Sequence, residues 1–212
     1  ASALEAGAAL AIVERDFAGA AVEDRLVRVG DTLEALNDLG RAARARAKDA
    51  VVIAVTGSAG KTGSKEALRL ALAPSGEVHA SVKSFNNHWG VPLSLANMKR
   101  DTRFGVFEAG MNHPGELDAL TRLIRPHIAI VTTVAPVHLG FFRSVAEIAD
   151  AKAEIFRGLE PGGTAIVMEP RTGEILNACL DGFTLACAQT IQTEFAAYAA
   201  DLENALATLR AA

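Results

Sequence analysis

Apolar runs of strand length alternate with longer segments of helical period through most of the chain, and this alternation predicts an α/β architecture with a mostly parallel sheet flanked by helices. The pattern is sharpest from residue 51. There "VVIAV" reads as a strand, a glycine-bearing loop follows, and a helix is predicted over 61–73. After a connection bearing Gly and Ser come "GVPLSLANM", the strand "FGVFEAG", the helix "PGELDALTRLI", the strand "HIAIVTTV", a helix over 144–159 and the strand "TAIVM". The turn "EPGG" at 160–163 separates that last helix from its strand, as clusters of proline and glycine do. Upstream, a helix over 2–8, a strand over 9–13, a short strand over 26–29 and the helix "DTLEALNDLGRAARARA" are predicted. Downstream, "MEPRTGEILNACLDGFTLACAQTIQ" gives no regular element, and "EFAAYAADLENALATLRAA" reads as an Ala-rich amphipathic helix. The chain thus divides into 1–48, 49–170 and an irregular or discontinuous tail, 171–212. Neither end carries a helix start or stop signal, so a truncated or gapped piece of a longer chain is expected.

Composition narrows the function. At 212 residues and 50% hydrophobic, the chain can bury one substantial core or two modest ones. With 21 Lys and Arg against 25 Asp and Glu the net charge is −4, so the basic excess of a nucleic-acid binder is missing and small molecules are the expected partners. The basic run "RAARARAK" at 41–48 reads as a solvated helix end whose charge complements the helix dipole. Two cysteines, Cys179 and Cys187, together with no charged-then-apolar leader and no apolar run of membrane-spanning length, predict a cytoplasmic protein with reduced thiols.

The candidate chemistry starts at "TGSAGKT", 56–62, between a strand and a helix. Gly57 and Gly60 permit a tight loop whose amides can point at phosphate oxygens; Lys61 supplies charge, and the Thr62 hydroxyl can reach Mg²⁺ at the start of the helix. Val55 stands where the usual phosphate loop has its first glycine, and a plain glycine turn is the competing reading. Glu108 ends an apolar strand, at the edge where ligands collect in an open α/β sheet, although a lone carboxylate there is more often a surface residue. His138 lies a few residues past the next strand; by itself it is unremarkable. With parallel strands, Lys61, Thr62, Glu108 and His138 share one sheet edge. In the helix 144–159, Val145, Ile148, Lys152, Ile155 and Leu159 form one stripe that Lys152 interrupts. Its ammonium either snorkels to the surface or serves the cleft.

Taken in order, "VTGSAGKT", "SFNNHWGVPLSL", "FEAGMNHPGEL", "RPHIAIVTTVAPVHLGFF" and "VAEIADAKAEIFRGL" resemble the Mur ligases, ATP-dependent amide-forming enzymes of peptidoglycan precursor synthesis. The resemblance covers about 51–167. It implies an ATP-binding central domain at 49–170, the end of an N-terminal α/β domain for a uridine-nucleotide substrate at 1–48, and a C-terminal-domain-like helix in the tail. The pairing of "NN…GVPLSL" with "EAGMNHPGEL" favours the branch that joins D-alanyl-D-alanine (D-Ala-D-Ala) to UDP-MurNAc-tripeptide through an acyl phosphate. On this resemblance Thr56, Gly57, Ser58, Ala59, Gly60, Lys61, Thr62, Asn86 and Asn87 bind the nucleotide. Thr62, Glu108, His138 and Lys152 hold Mg²⁺, Lys152 after carbamylation. Lys61, His138, Lys152, Asn112 and His113 act in the reaction, and the enzyme is a cytoplasmic monomer needing neither nucleic acid nor membrane. A folylpolyglutamate synthase, a cyanophycin-synthetase-type ligase or a non-catalytic ATP-binding fragment would keep the same ATP motifs.

Overall fold

A computed structural model describes residues 2–18, 20–136, 140–168 and 175–179 of the chain, the last stretch by its backbone. Eight strands and six α-helices are found among them: α1 (Ser2–Glu5), β1 (Ala11–Glu14), β2 (Leu26–Val29), α2 (Thr32–Arg46), β3 (Val51–Thr56), α3 (Lys61–Leu72), β4 (Val78–Ala80), α4 (Gly90–Ala96), β5 (Phe104–Glu108), α5 (Glu116–Ile124), β6 (Ile128–Val131), α6 (Val145–Ala153), β7 (Thr164–Met168) and β8 (Ile175–Cys179). β1 and β2 pair in parallel as a separate two-stranded sheet. The main sheet runs β4-β5-β3-β6-β7-β8, parallel except for β8, which is antiparallel to β7.

β3 is central because both of its faces are apolar. Val52 and Ala54 point into a large core shared with α4, α5 and α6, while Ile53 and Val55 point into a smaller one with Leu68 and Leu72 of α3. The chain leaves β3 towards β4 on one side, and after β5 it crosses β3 to reach β6 on the other. The carboxyl ends of β3 and β5 therefore flank the point where the winding reverses, the crevice where open α/β sheets bind ligands.

The expected elements recur with shifts that have local causes. The helix predicted over 144–159 is α-helical only to Ala153 and tightens into a 3₁₀ turn over Glu154–Gly158. "GVPLSLANM" supplies α4, with Pro92 in its first turn, where a missing amide is tolerated. β4 has three residues, too few for a periodicity to register. In the tail, 175–179 forms the antiparallel strand β8, so that part is regular; the Ala-rich helix expected near the end lies outside the described residues. No helix among the described residues is long and apolar enough to cross a membrane.

The basic run is corrected more substantially. Arg44 is 2% exposed, and its guanidinium donates to the carbonyls of Ile124 and Arg125 at the end of α5, 3.0 and 2.8 Å away. Arg46 donates to the Met98 carbonyl just beyond α4, at 2.9 Å. Cationic charge does cap helix C-termini here, but those of α5 and α4 rather than the solvated end of α2. Arg41 behaves as expected, paired in the open with Glu34 and Asp38, and Lys48 is likewise exposed. Arg44→Met is expected to lower unfolding stability by roughly 2–4 kcal/mol, since two buried carbonyls lose a charged donor. Arg41→Met should cost less than about 1 kcal/mol. Urea titration of both variants checks this; equal losses would contradict the capping role.

Candidate active site

The glycine loop leaves β3 and is pinned to the end of β6. Thr132 and Thr133 each donate through Oγ1 to the Ala59 carbonyl at 2.7 Å, the Ser58 amide donates to the Thr133 carbonyl at 2.8 Å, and the Ser58 hydroxyl donates to the Ala135 carbonyl at 3.1 Å. Gly57 has φ +152°, and a Cβ there would fall 2.0 Å from Thr132 Oγ1, so no other residue fits without displacing the threonine. Thr56 is buried beneath the loop, and its Oγ1 has no partner among the described residues. α3 starts at Lys61, immediately after Gly60. Among the described residues nothing accepts from the amides of Ala59, Gly60, Lys61 and Thr62. Four open donors at the positive end of a helix make a cradle for phosphate oxygens.

Beside the loop lies Glu108, at the carboxyl end of β5 and 1% exposed. Thr62 Oγ1 donates to one of its oxygens at 2.9 Å and Asn86 Nδ2 to the other at 2.8 Å. The next residue but one is Gly110, where a Cβ would come within 2.9 Å of Asn86 Oδ1; glycine lets the carboxamide lie close. Lys61 is half-buried and its Nζ donates to the Gly57 carbonyl at 2.8 Å. Burial lowers its pKa, with the Glu108 charge opposing that shift. Lys152 is buried on α6, and burial, reinforced by the Lys61 charge, pushes its pKa down to about 7. The Glu108 charge thus acts on Lys61, while Lys152 feels only the like charge of Lys61. The neighbourhood is short of negative charge in the way a polyphosphate site must be.

The structure therefore brings together the loop 56–62, Asn86, Glu108 and, electrostatically, Lys152. Thr62 and Glu108 are hard oxygen donors of the kind Mg²⁺ prefers, and a cation held by two side chains and substrate phosphates needs no larger protein cage. Among the described residues no group of three His, Cys, Asp or Glu gathers. His138 lies outside the described residues. Asn87 instead faces α4, accepting from the amides of Trp89 and Gly90 at 3.2 and 2.9 Å. Asn112 and His113 are exposed on the turn before α5, with both amides donating to Glu116 Oε2 and the His113 ring edge-on to Phe141, centroids 4.4 Å apart.

Several residues around this site were not singled out in the sequence. Glu154, 7% exposed, accepts from the amides of Gly115 and Asp118 and so caps α5 from α6's continuation. Thr132 and Ser81 hold the loops by their hydroxyls, and Lys65 is fully buried one turn beyond Lys61. Lys65, Leu68 and Leu72 form a polar-interrupted stripe like the one that exposed Lys152, so that signal was available for Lys65; nothing local marks Thr132.

The Mur ligase middle domain family matches residues 55–207. A UDP-N-acetylmuramoyl-tripeptide–D-alanyl-D-alanine ligase from Rickettsia prowazekii is 41% identical over 145 residues, which is 68% of this chain and 32% of that protein. Among solved structures, MurF from Acinetobacter baumannii superposes with a TM-score of 0.67 at 33% identity, covering 79% of this chain and 35% of that one. MurF ligase from Thermotoga maritima, in complex with ADP, gives 0.68 at 30% identity over 78% of this chain and 38% of that one. The chain spans about a third of the length of the curated relatives it matches.

The buried ammonium on α6 makes a thermodynamic prediction. Lys152 has a lower pKa folded, about 7, than unfolded, so folding expels a proton above neutrality and wild-type stability rises with pH up to the ordinary lysine value. The slope is at most about 1.4 kcal/mol per pH unit. In bicarbonate-free buffer, Lys152→Met is expected to raise Tm, most near neutral pH and progressively less towards pH ~10. Parallel Tm–pH curves for the two proteins would contradict a desolvated ammonium at this position.

Proposed function

The chain belongs to the Mur ligase family through its middle domain, and from that premise we propose that it carries the ATP-handling site of a ligase joining D-Ala-D-Ala to UDP-MurNAc-tripeptide in peptidoglycan precursor synthesis. The observation that carries this reading is the juxtaposition of the open amides at the start of α3 with the Thr62–Glu108 pair. An anion cradle beside two oxygen donors suits a nucleotide whose phosphates share a divalent cation. The relatives' names supply the substrates.

In this reading residues 49–170 are the ATP-binding domain, 1–48 the end of a uridine-substrate domain, and 171–212, β8 apart, an irregular or discontinuous tail with a C-terminal-domain-like helix. The peptide carboxylate attacks the γ-phosphorus, ADP leaves, and the amine of D-Ala-D-Ala displaces phosphate from the resulting acyl phosphate. Lys61 exchanges the Gly57 carbonyl for a phosphate oxygen and offsets charge on the migrating group. Bound Mg²⁺ would polarise the phosphate oxygens, with Thr62 and Glu108 holding it and His138 and a carbamylated Lys152 completing the set. Carbamylation requires a neutral amine, and a pKa of about 7 supplies one. The carbamate would also replace a positive charge facing Lys61 by a negative one. The loop binds the phosphates and Asn86 serves the nucleotide through the Glu108 carboxylate that it holds; Asn112 and His113, exposed on their turn, are assigned to the incoming substrates. The protein works as a monomer in the cytoplasm, where ATP is supplied and thiols stay reduced.

Release of ADP from Mg·ATP should require both UDP-MurNAc-tripeptide and D-Ala-D-Ala. Release driven by a different acceptor would instead favour a folylpolyglutamate synthase or a cyanophycin-synthetase-type ligase. Nucleotide binding without acceptor-dependent turnover would mark a non-catalytic ATP-binding module. Lys61→Ala is expected to leave Tm nearly unchanged and to abolish ADP release, and turnover retained in that variant would refute the loop assignment.

A further inference from the structure

Lys65 is 1% exposed, an environment that lysine occupies only when its ammonium is fully partnered. Its Nζ donates to the carbonyls of Ser81 and Lys83, at 2.8 and 2.7 Å, and meets Glu66 Oε1 at 3.3 Å. All three donors of the ammonium are thus engaged. Two of them hold the segment that follows β4, and there Lys83 adopts φ +53°, a left-handed conformation that a non-glycine residue takes only when its surroundings impose it.

That segment contacts Glu108 at both of its ends. At its start the Ser81 hydroxyl accepts from the Glu108 amide at 3.3 Å, and at its end Asn86 donates to the Glu108 carboxylate at 2.8 Å. The Asn86 carbonyl in turn accepts from the Gly110 amide at 2.7 Å, just past the strand. Thr62, which donates to the other carboxylate oxygen, lies on α3 three residues before Lys65. The interactions close into a ring: α3 reaches Glu108 through Thr62, Glu108 reaches the 81–86 segment through Ser81 and Asn86, and the segment returns to α3 through Lys65.

We infer that Lys65 is a positioning residue for cation binding: by clamping the Ser81 and Lys83 carbonyls to α3 it fixes the segment that aims the Glu108 carboxylate beside Thr62. This rests on the reading of Thr62 and Glu108 as ligands of a divalent cation. Lys65 touches neither nucleotide cradle nor carboxylate, so its removal leaves the loop amides intact and loosens only the carboxylate's support. A methionine fills similar volume but leaves two carbonyls without their donor, and the segment then moves towards water to satisfy them.

The test separates cation from nucleotide. Mn²⁺ binding to the protein with ADP is followed by electron paramagnetic resonance, and ADP binding without metal is followed calorimetrically in EDTA. Lys65→Met is expected to weaken Mn²⁺ binding by about tenfold or more, the usual cost of removing support from behind a metal ligand, with metal-free ADP affinity unchanged. A parallel loss of both affinities, or no loss in either, would overturn the inference, since a purely structural lysine does not discriminate between them. Should Lys65→Met fail to fold, Ser81→Ala decides by the same two measurements. A selective loss of Mn²⁺ affinity supports the ring, and unchanged Mn²⁺ affinity overturns it. Wild-type protein that binds ADP but gains no Mn²⁺ site would instead refute the ligand role of Thr62 and Glu108, and the inference with it.

Discussion

Glu108 is a carboxylate taken out of water at the end of a central strand, and burial of such a group costs several kcal/mol unless hydrogen bonds replace the lost hydration. Its two oxygens are satisfied by Thr62 and Asn86, and its amide by Ser81. These partners come from the start of α3 and from both ends of the segment after β4. A single residue's need for partners therefore orders three stretches of chain that share no local sequence relation. Gly110 is part of the same requirement, since only a residue without a Cβ lets Asn86 settle against the carboxylate.

Charge is distributed as unevenly as the hydrogen bonds. Burial lowers the pKa of Lys61 against the pull of Glu108, and it lowers that of Lys152 with the Lys61 charge adding to the cost. A protein selected for stability alone would place an apolar side chain at 152, since its neighbours Ile148 and Ile155 are fully buried. The loop shows the same preference for an awaited anion: the amides of Ala59, Gly60, Lys61 and Thr62 stay open while Thr132, Thr133 and Ser58 hold its backbone from behind. Support comes from the protein, and the face towards the crevice is left to a ligand, which is the arrangement expected of a preorganised electrostatic site.

How much of this was legible in the sequence depended on how local the cause was. The glycine loop was legible because a strand, two glycines, a lysine and a helix are contiguous, and Lys152 because one lysine on an apolar stripe is an anomaly readable within four turns. The parallel main sheet followed from the alternation of periods, and the structures that superpose on this chain have the same architecture. β4 escaped because three residues carry no period. Arg44 escaped because the carbonyls it caps lie 80 and 81 residues away, and no property of "RAARARAK" distinguishes Arg44 from Arg41. Asn87 matched a motif that faces ligands, yet its side chain bonds two and three residues ahead and starts α4, a local use of asparagine that a motif match does not reveal.

Lys65 sits between these cases. Its stripe on α3 was as readable as that of Lys152, but the sequence around it supplies an obvious bland account, with Glu66 next to it and Arg69 a turn away on an exposed face. What separates a snorkelling lysine from a buried one is the far end of the side chain, and for Lys65 that end meets carbonyls 16 and 18 residues on. The acceptors are created by the crossover from α3 through β4, whose course is set by pairing with β5. β5 is also the strand that delivers Glu108, so the pairing that fixes the carboxylate's height along the sheet fixes the carbonyls that Lys65 must reach. Clamp and ligand are thereby referenced to one strand, and a shift of β5 would move both together relative to α3.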